Sequence, residues 1–397
     1  MTFEDRFAAA VMPTYGTPGP VLTHGQGVTV HDIDGNRYLD FIGGIATSVL
    51  GHGHPALVAA VSDQVAKLAH SSNLFINRPS VELAEKLLGL LDTPGKVFFA
   101  NSGTEANECA VKLAMMYGKP QGRTRFVAAV DGFHGRSRAA LALTGKPSIR
   151  EPFEPFGFEV EFVPFGDASA LHDAVDDTVA AVFLEPVQGE GGVIVPPDGY
   201  LAAARRVCDA AGALLVLDEI QSGMGRTGKW FAHQHEGVTP DIITLAKGLA
   251  GGLPIGACIG LGAAADLFEP GSHGSTFGGN PVAASAGLAV LSAIETEGLL
   301  DNAAAMGRYL ADGITALDHR LIAQVRGRGL WLGVVLVADL AADLVTRLRE
   351  RGVLANAVRP GVLRLAPPLT ITQPEIDRFL TELAHAADAV LPAENHS

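Results

Sequence analysis

Residues Leu214 to Gly252 read LLVLDEIQSGMGRTGKWFAHQHEGVTPDIITLAKGLAGG. Two short apolar runs in this stretch, Leu214-Leu215-Val216-Leu217 and Ile242-Ile243-Thr244-Leu245-Ala246, look like buried parallel strands. Each delivers a polar group just past its end, Asp218 after the first and Lys247 after the second. In α/β sheets, ligands bind beyond the carboxyl ends of the strands, so both side chains are expected at one binding edge. Each also has a plain reading: a lone lysine after a strand is usually solvated, and an aspartate there usually caps a helix or turn. Together they suit one chemistry. The lysine forms a Schiff base with an aldehyde cofactor, and the acid keeps a pyridine ring nitrogen protonated. The cofactor expected for such a pair is pyridoxal 5'-phosphate.

The chain has 397 residues, 48% of them hydrophobic and 18% charged, which is the composition of a globular protein with a sizeable core. No apolar run approaches the roughly 20 residues of a membrane span, so no membrane partner is expected. The start, MTFEDRFAAAVMP, carries acids early and lacks the basic and apolar regions of a signal peptide, which points to a cytoplasmic protein. Formal net charge is −14 and no basic cluster stands out, so no nucleic-acid partner is expected. Cys109, Cys208 and Cys258 lie far apart in apolar surroundings and read as buried thiols in a reducing compartment.

Before the α/β region, Val28 to Val30 and Arg37 to Asp40 flank Asp34-Gly35 as a β-hairpin. Gly43 to Pro55 reads as a glycine-rich loop. A helix follows, with Leu57, Val58, Val61, Val65 and Leu68 expected on one apolar face. His52, His54, His233 and His235 read as loop histidines, since no third ligand stands near either pair. From Lys96, strand and helix alternate. Val97 to Ala100, Arg125 to Val130, Val179 to Glu185 and Ile255 to Leu261 read as further strands, with Thr104 to Tyr117 and Leu201 to Ala211 as helices. The expected class is α/β, with a large domain carrying a mainly parallel sheet. A long helical stretch is expected from Pro281 to about Leu317, then a strand from Leu330 to Val337, a helix from Ala341 to Arg351, the run Val362 to Leu365, and a last helix from Gln373 to Val390. This block reads as a smaller α+β domain. The expected divisions are residues 1–55, 56–280 and 281–397, the first belonging with the last.

Several loops between these elements carry candidate site residues. Asn101-Ser102-Gly103-Thr104-Glu105 sits between a strand and a helix. Its small residues and the helix N-terminus suit a phosphate, although a plain Ser/Thr helix cap reads equally well. In Gly132-Phe133-His134-Gly135-Arg136, the aromatic Phe133 suits stacking on a flat ring and Arg136 suits a two-point grip on a carboxylate; a glycine turn with a surface arginine is the alternative. Glu190 stands beyond another strand end. Arg364 lies inside the apolar run Val362 to Leu365 and needs a partner, for which Glu190 is a candidate, whether in a binding site or a purely structural pair. Ser275 and Thr276 offer hydroxyls among glycines.

Gly223-Met224-Gly225-Arg226-Thr227-Gly228-Lys229 matches G-x-x-x-x-G-K of a nucleotide-binding loop. Trp230 follows where a magnesium-binding Ser or Thr is required, and no helix pattern opens there. A nucleotide hydrolase is thus the weaker reading of the chain.

Taken together, the motifs resemble the class III (ornithine-type) aminotransferases of the fold-type I pyridoxal phosphate enzymes. SGTEAN at Ser102, GFHGR at Gly132, EPVQGEGG at Glu185, LDEIQSGMGRTG at Leu217, LAKGLAGGLPIGA at Leu245 and GSTFGGNP at Gly274 stand in the family's order. The resemblance spans about Tyr15 to Leu369. It implies a mainly parallel seven-stranded sheet and an active site shared between the two subunits of a homodimer. It also implies roles: Lys247 as the cofactor's Schiff-base lysine and proton carrier, Asp218 at the ring nitrogen, Gln221 at the phenolic oxygen, Ser102, Gly103 and Thr104 at the phosphate, Phe133 on the ring, and Thr276 at the neighbouring subunit's phosphate. Ser275 and Arg136 would serve substrate, Arg136 holding a carboxylate remote from the reacting amine. Arg364 would take a carboxylate beside the reacting carbon, masked by Glu190 when the other substrate is bound. GGIA at Gly43 and HSSNLF at His70 are most similar to the branch whose donor is N-acetylornithine and whose acceptor is 2-oxoglutarate, in arginine biosynthesis. Succinyldiaminopimelate is a further expected donor, and free ornithine or 4-aminobutyrate the alternative. Thr47-Ser48 stands where that branch commonly has Val-Asn.

Overall fold

The computed structural model describes residues 1–16 and 18–391; residue 17 and residues 392–397 of the expected C-terminal block lie outside them. Its centre is a seven-stranded sheet in the order Gly95–Ala100, Gly256–Leu261, Ile242–Leu245, Leu214–Asp218, Val179–Leu184, Arg125–Ala129, Val160–Val163. Gly256–Leu261 runs antiparallel to both of its neighbours, and the other strand pairs are parallel. The mainly parallel sheet is therefore as expected.

Burial explains the sequence pattern. Every residue of Val179–Leu184, Leu214–Asp218 and Ile242–Leu245 is buried, because helices cover both faces. Alternate residues enter different cores. Leu215 and Leu217 pack with the helix Tyr200–Ala211 through Leu201, Ala204 and Cys208. Leu214 and Val216 pack with the helix Gly103–Gly118 through Cys109, Ala110 and Leu113.

Around this sheet lie two smaller ones. The hairpin Thr29–Asp32 with Arg37–Asp40 turns at Gly35, whose φ of 84° is left-handed. Asp32 stitches the turn by accepting bonds from the Asp34 and Asn36 amides at 3.0 and 2.8 Å. Val353–Leu354 pairs in parallel with Arg37–Asp40 and so ties the N-terminal hairpin to the C-terminal block. Ile322–Arg328, Trp331–Leu336, Val362–Leu365 and Asn356–Arg359 form a second four-stranded sheet.

Two expectations are corrected, and two features are added to the reading. The edge strand Val160–Val163 carried no clear signal, being four residues long with an exposed Glu161. The stretch from Pro281 is two helices, Pro281–Thr296 and Leu299–Ala316, bent by 68° at Gly298, whose φ of 65° ends the first. The expected apolar face of the helix Pro55–Lys67 is only partly covered: Leu57 is buried, whereas Val58 and Val65 are 52% and 53% exposed. The glycine-rich loop after Phe41 opens with a tight turn in which Gly43, Gly44, Ile45 and Ala46 all have left-handed φ, between 54° and 63°. No single helix among the described residues is long and apolar enough to cross a membrane.

Candidate active site

A cavity of about 410 Å³ opens where the parallel strands end. Its lining includes Ser102, Gly103, Thr104, Phe133, Arg136, Asp218, Gln221 and Lys247, eight of the residues singled out in the sequence. The sheet order brings them together. Leu214–Asp218 and Ile242–Leu245 are adjacent, so Asp218 and Lys247 leave neighbouring strand ends.

Asp218 is buried, and each of its oxygens is engaged. Oδ2 accepts from Asn107 Nδ2 and faces His134 Nδ1, both at 2.8 Å, while Oδ1 accepts the Ile220 amide at 3.0 Å. Asn107 also donates to the His134 carbonyl at 2.7 Å, fixing the histidine's backbone as well as its partner. Burial favours neutral His134. The hydrogen bond and charge of Asp218, with Glu185 behind, outweigh that and raise the imidazole's pKa. Glu185 is pushed up to about 7 by burial, against the pull of His134. Its carboxyl accepts the Phe133 amide at 2.9 Å and the Gly189 amide at 3.1 Å, which sets the position of the Phe133 ring. Sequence reasoning passed over Asn107, His134 and Glu185 as individual site residues. The signal was available, since all three stand inside the quoted motifs.

Lys247 adopts a left-handed φ of 44°, a strained conformation for a side-chain-bearing residue and one found preferentially at functional sites. Its amine is pushed down to about 8, first by loss of solvent and then by the Arg364 charge, with Glu190, Asp218 and Glu185 opposing. A lysine so shifted holds a reactive neutral fraction near neutral pH.

Ser102 caps the helix Gly103–Gly118, accepting the Glu105 amide at 3.3 Å. The first N–H groups of that helix have no intrahelical acceptor and face the cavity with the positive end of the dipole. Side chains do not fit here: a Cβ at Gly103 would stand 2.6 Å from Ile220, and one at Gly135 would stand 2.3 Å from Thr104 Oγ1. The donor set, the aromatic Phe133 and the buried acid fit a phosphorylated pyridine aldehyde.

Four expected residues lie outside the lining. Ser275 is one contact away, its Oγ accepting from Asn101 Nδ2 at 3.2 Å. Thr276 is exposed and does not reach this cavity. Arg364 is buried; its Nη1 donates to Glu190 Oε1 at 2.6 Å and to Gln221 Oε1 at 3.3 Å, and its Nη2 to Asn356 Oδ1 at 2.8 Å. The Glu190–Arg364 pair is thus real and sits directly behind Gln221. Burial raises the carboxyl pKa of Glu190, but the Arg364 charge outweighs it and holds the group below the usual range.

The Gly223–Lys229 stretch is no phosphate cradle. Arg226 is fully buried and donates through Nη1 to the Leu330 and Pro367 carbonyls, while Lys229 is exposed. The histidines of the two pairs are spoken for separately: His52 by Asp40, His54 by Glu297, His233 by Glu219 and His235 by Thr227.

This cavity, with its strand-end lysine, buried acid and helix-borne anion site, is that of a transferase acting on amines. The chain belongs to the class-III aminotransferases, a family that matches residues 13–387. It is similar to the acetylornithine aminotransferase of Mycolicibacterium smegmatis, 54% identical over 388 residues that cover 98% of each chain. It also resembles the solved N-acetylornithine aminotransferase of Stenotrophomonas maltophilia (TM-score 0.84, 37% identity, 95% and 98% of the two chains). An ornithine aminotransferase from Toxoplasma gondii, whose active site holds PLP at partial occupancy, superposes with a TM-score of 0.93 at 34% identity, over 98% of this chain and 94% of that one.

Proposed function

We propose that this chain transfers the terminal amine of N2-acetyl-L-ornithine to 2-oxoglutarate, giving N-acetyl-L-glutamate 5-semialdehyde and L-glutamate, with pyridoxal 5'-phosphate as cofactor. The observation that carries the chemistry is Lys247 and Asp218 on adjacent strand ends in one cavity. Pyridoxal phosphate supplies an aldehyde carbon that carries the amine and a ring that accepts an electron pair when a proton leaves the substrate. The residues of this chain do the rest. The Ser102–Thr104 turn would hold the phosphate, and Phe133 would pack on the ring. Asp218, oriented by Asn107 and His134, would keep a proton on the ring nitrogen. Gln221 would sit at the phenolic oxygen. Lys247 would hold the aldehyde through its amine and would move the proton at the substrate carbon.

Two carboxylates must be served. Arg136, exposed at the cavity edge, suits the one remote from the amine. Glutamate brings a second one beside the reacting carbon, and Arg364 takes it when Glu190 lets go. The donor assignment rests on the relatives at 54% identity and on charge. The two carboxylates that line the cavity on this chain, Glu185 and Asp218, are both committed to internal partners, so neither is free to receive the α-ammonium of unacetylated ornithine. An uncharged acetamide asks for no such partner. Succinyldiaminopimelate likewise has an acylated amino group at one end and a free amine at the other, that amine with a carboxylate beside it as in glutamate, and is a second proposed donor.

The homodimer is part of this reading. Leu74, Phe75 and Ile76 are consecutive and 87%, 71% and 90% exposed, a patch that calls for a covering partner. With the exposed Thr276, it supports a site completed across the dimer. The segment 1–55 and the block 281–397 are read as one small domain beside 56–280, which the pairing of Val353–Leu354 with Arg37–Asp40 supports. Three free, buried cysteines suit a cytoplasmic, reducing setting.

The test is a visible spectrum of the purified protein before and after N-acetylornithine, then free ornithine and 4-aminobutyrate. Loss of the cofactor's band with N-acetylornithine at far lower concentration than with the others is expected. A band that responds equally well to free ornithine would overturn the donor assignment.

A further inference from the structure

Glu190 touches two cations, and only one of them is accounted for above. Its Oε1 meets Arg364, while its Oε2 lies 3.8 Å from Lys146 Nζ. Lys146 also donates to the Glu190 carbonyl at 3.1 Å, so its amine is tethered to the residue whose charge it faces. Both side chains are largely covered, at 18% and 25% exposure. Like Glu190 and Arg364, the lysine lies outside the cavity lining, and its amine reaches that pair through Glu190.

Its backbone is fixed. The Asp131 amide donates to the Gly145 carbonyl and the Gly145 amide to the Gly132 carbonyl, both at 2.9 Å. A Cβ at Gly145 would stand 2.2 Å from the Ala129 carbonyl oxygen, so the chain hugs the strand end that carries Phe133. Immediately after Lys146, Pro147 opens a short helical turn. Nearby Arg359 is occupied by an ion pair with Asp131 and does not compete for Glu190.

If Arg364 turns to a substrate carboxylate, Glu190 loses its strongest partner while still largely out of water. A covered carboxylate without a counter-charge is costly. We propose that Lys146 is a positioning residue for the Glu190–Arg364 pair, receiving the Glu190 charge when the pair opens to admit the α-carboxylate of glutamate. This rests on the proposed two-carboxylate function and names the group that makes the opening affordable. Burial depresses the Lys146 ammonium and the Glu190 charge partly restores it, as expected of two groups that rely on one another.

The test compares the two half-reactions of the cofactor-loaded enzyme, one driven by glutamate and one by the ω-amine donor. Lys146→Met should raise the KM for glutamate about tenfold, an effect of the size of one lost close charge contact, and move the donor half-reaction much less. Lys146→Arg should restore most of the loss. In the Glu190→Ala background, Lys146→Met should add nothing, because the charge it serves is gone. Equal damage to both half-reactions, or an undiminished effect without Glu190, would overturn the proposal. Arg364→Ala separates the two levels: if it spares glutamate, the two-carboxylate reading falls. If it cripples glutamate and Lys146→Met does not, only the role of Lys146 falls.

Discussion

Glu190 Oε1 stands 2.6 Å from Arg364 Nη1, and the same guanidinium nitrogen reaches Gln221 on the cavity wall at 3.3 Å. A cation is therefore held one side chain away from the site, neutralised by an acid that lies 174 positions earlier in the chain. Glu190→Ala should unmask it. The ratio of glutamate efficiency to N-acetylornithine efficiency is expected to rise about tenfold in the variant, the scale of one close charge pair. Separate half-reaction kinetics would check this, and an unchanged ratio would count against a masking role.

Lys247→Ala should abolish transamination, with a loss of at least about 10³-fold, because capture of the aldehyde and proton transfer both depend on that amine. The thermal unfolding temperature of the apoprotein should not be lowered, since the side chain projects into a cavity rather than a packed core and its burial weighs against folding at neutral pH. Substantial residual turnover would refute the assignment.

The depressed Lys247 amine gives a pH dependence with a definite sign. Capture of the cofactor by apoprotein needs the neutral amine, so its rate should rise with pH through a midpoint of about 8. Between that value and the ordinary 10.5, the native lysine binds fewer protons than the unfolded one, so Lys247 weighs against folding below about 8 and this cost is relieved as pH rises. Stopped-flow reconstitution across this range would reveal the midpoint; one near the ordinary lysine value would contradict the burial argument.

His134 holds the acid that faces the ring. Replacing it with Ala leaves Asp218 Oδ2 with Asn107 alone. A fall in kcat of about tenfold is expected, as for a lost hydrogen bond to a charged group, with a shifted absorption band of the bound cofactor. An unaltered band and rate would show that Asn107 suffices.

Arg226 and Lys229 separate structure from a false motif. Arg226→Ala strips donors from two buried carbonyls and empties a fully buried site, so a loss of about 3 kcal/mol is expected. Lys229 is exposed, and Lys229→Ala should stay within about 0.5 kcal/mol. Denaturant titration of both would decide; a severe effect at Lys229 would contradict its exposed placement.

What could be read from the sequence was local and periodic. The apolar runs before Asp218 and Lys247 marked buried strands, because only strands covered on both faces tolerate such continuous apolar content. The Gly-rich and hydroxyl-rich segments marked a helix start with free N–H groups. The lone arginine in an apolar strand demanded an acid, and Glu190 supplies it.

Tertiary structure decided the rest, for a physical reason. Sheet order is set by how apolar faces pack, and it puts Gly256–Leu261 antiparallel between Ile242–Leu245, the strand before it in the chain, and the far earlier Gly95–Ala100, a pairing that the chain's own sequence of elements does not announce. That packing gave Asp218 its two side-chain partners and gave Glu190 a second cation. It also kept Thr276 out of the cavity and left Leu74, Phe75 and Ile76 uncovered. The short edge strand at Val160 and the bend at Gly298 likewise depend on neighbours rather than on periodicity. Residue types and spacings determined which chemistry was available; only the folded arrangement determined which groups face one another and how far each charge is removed from water.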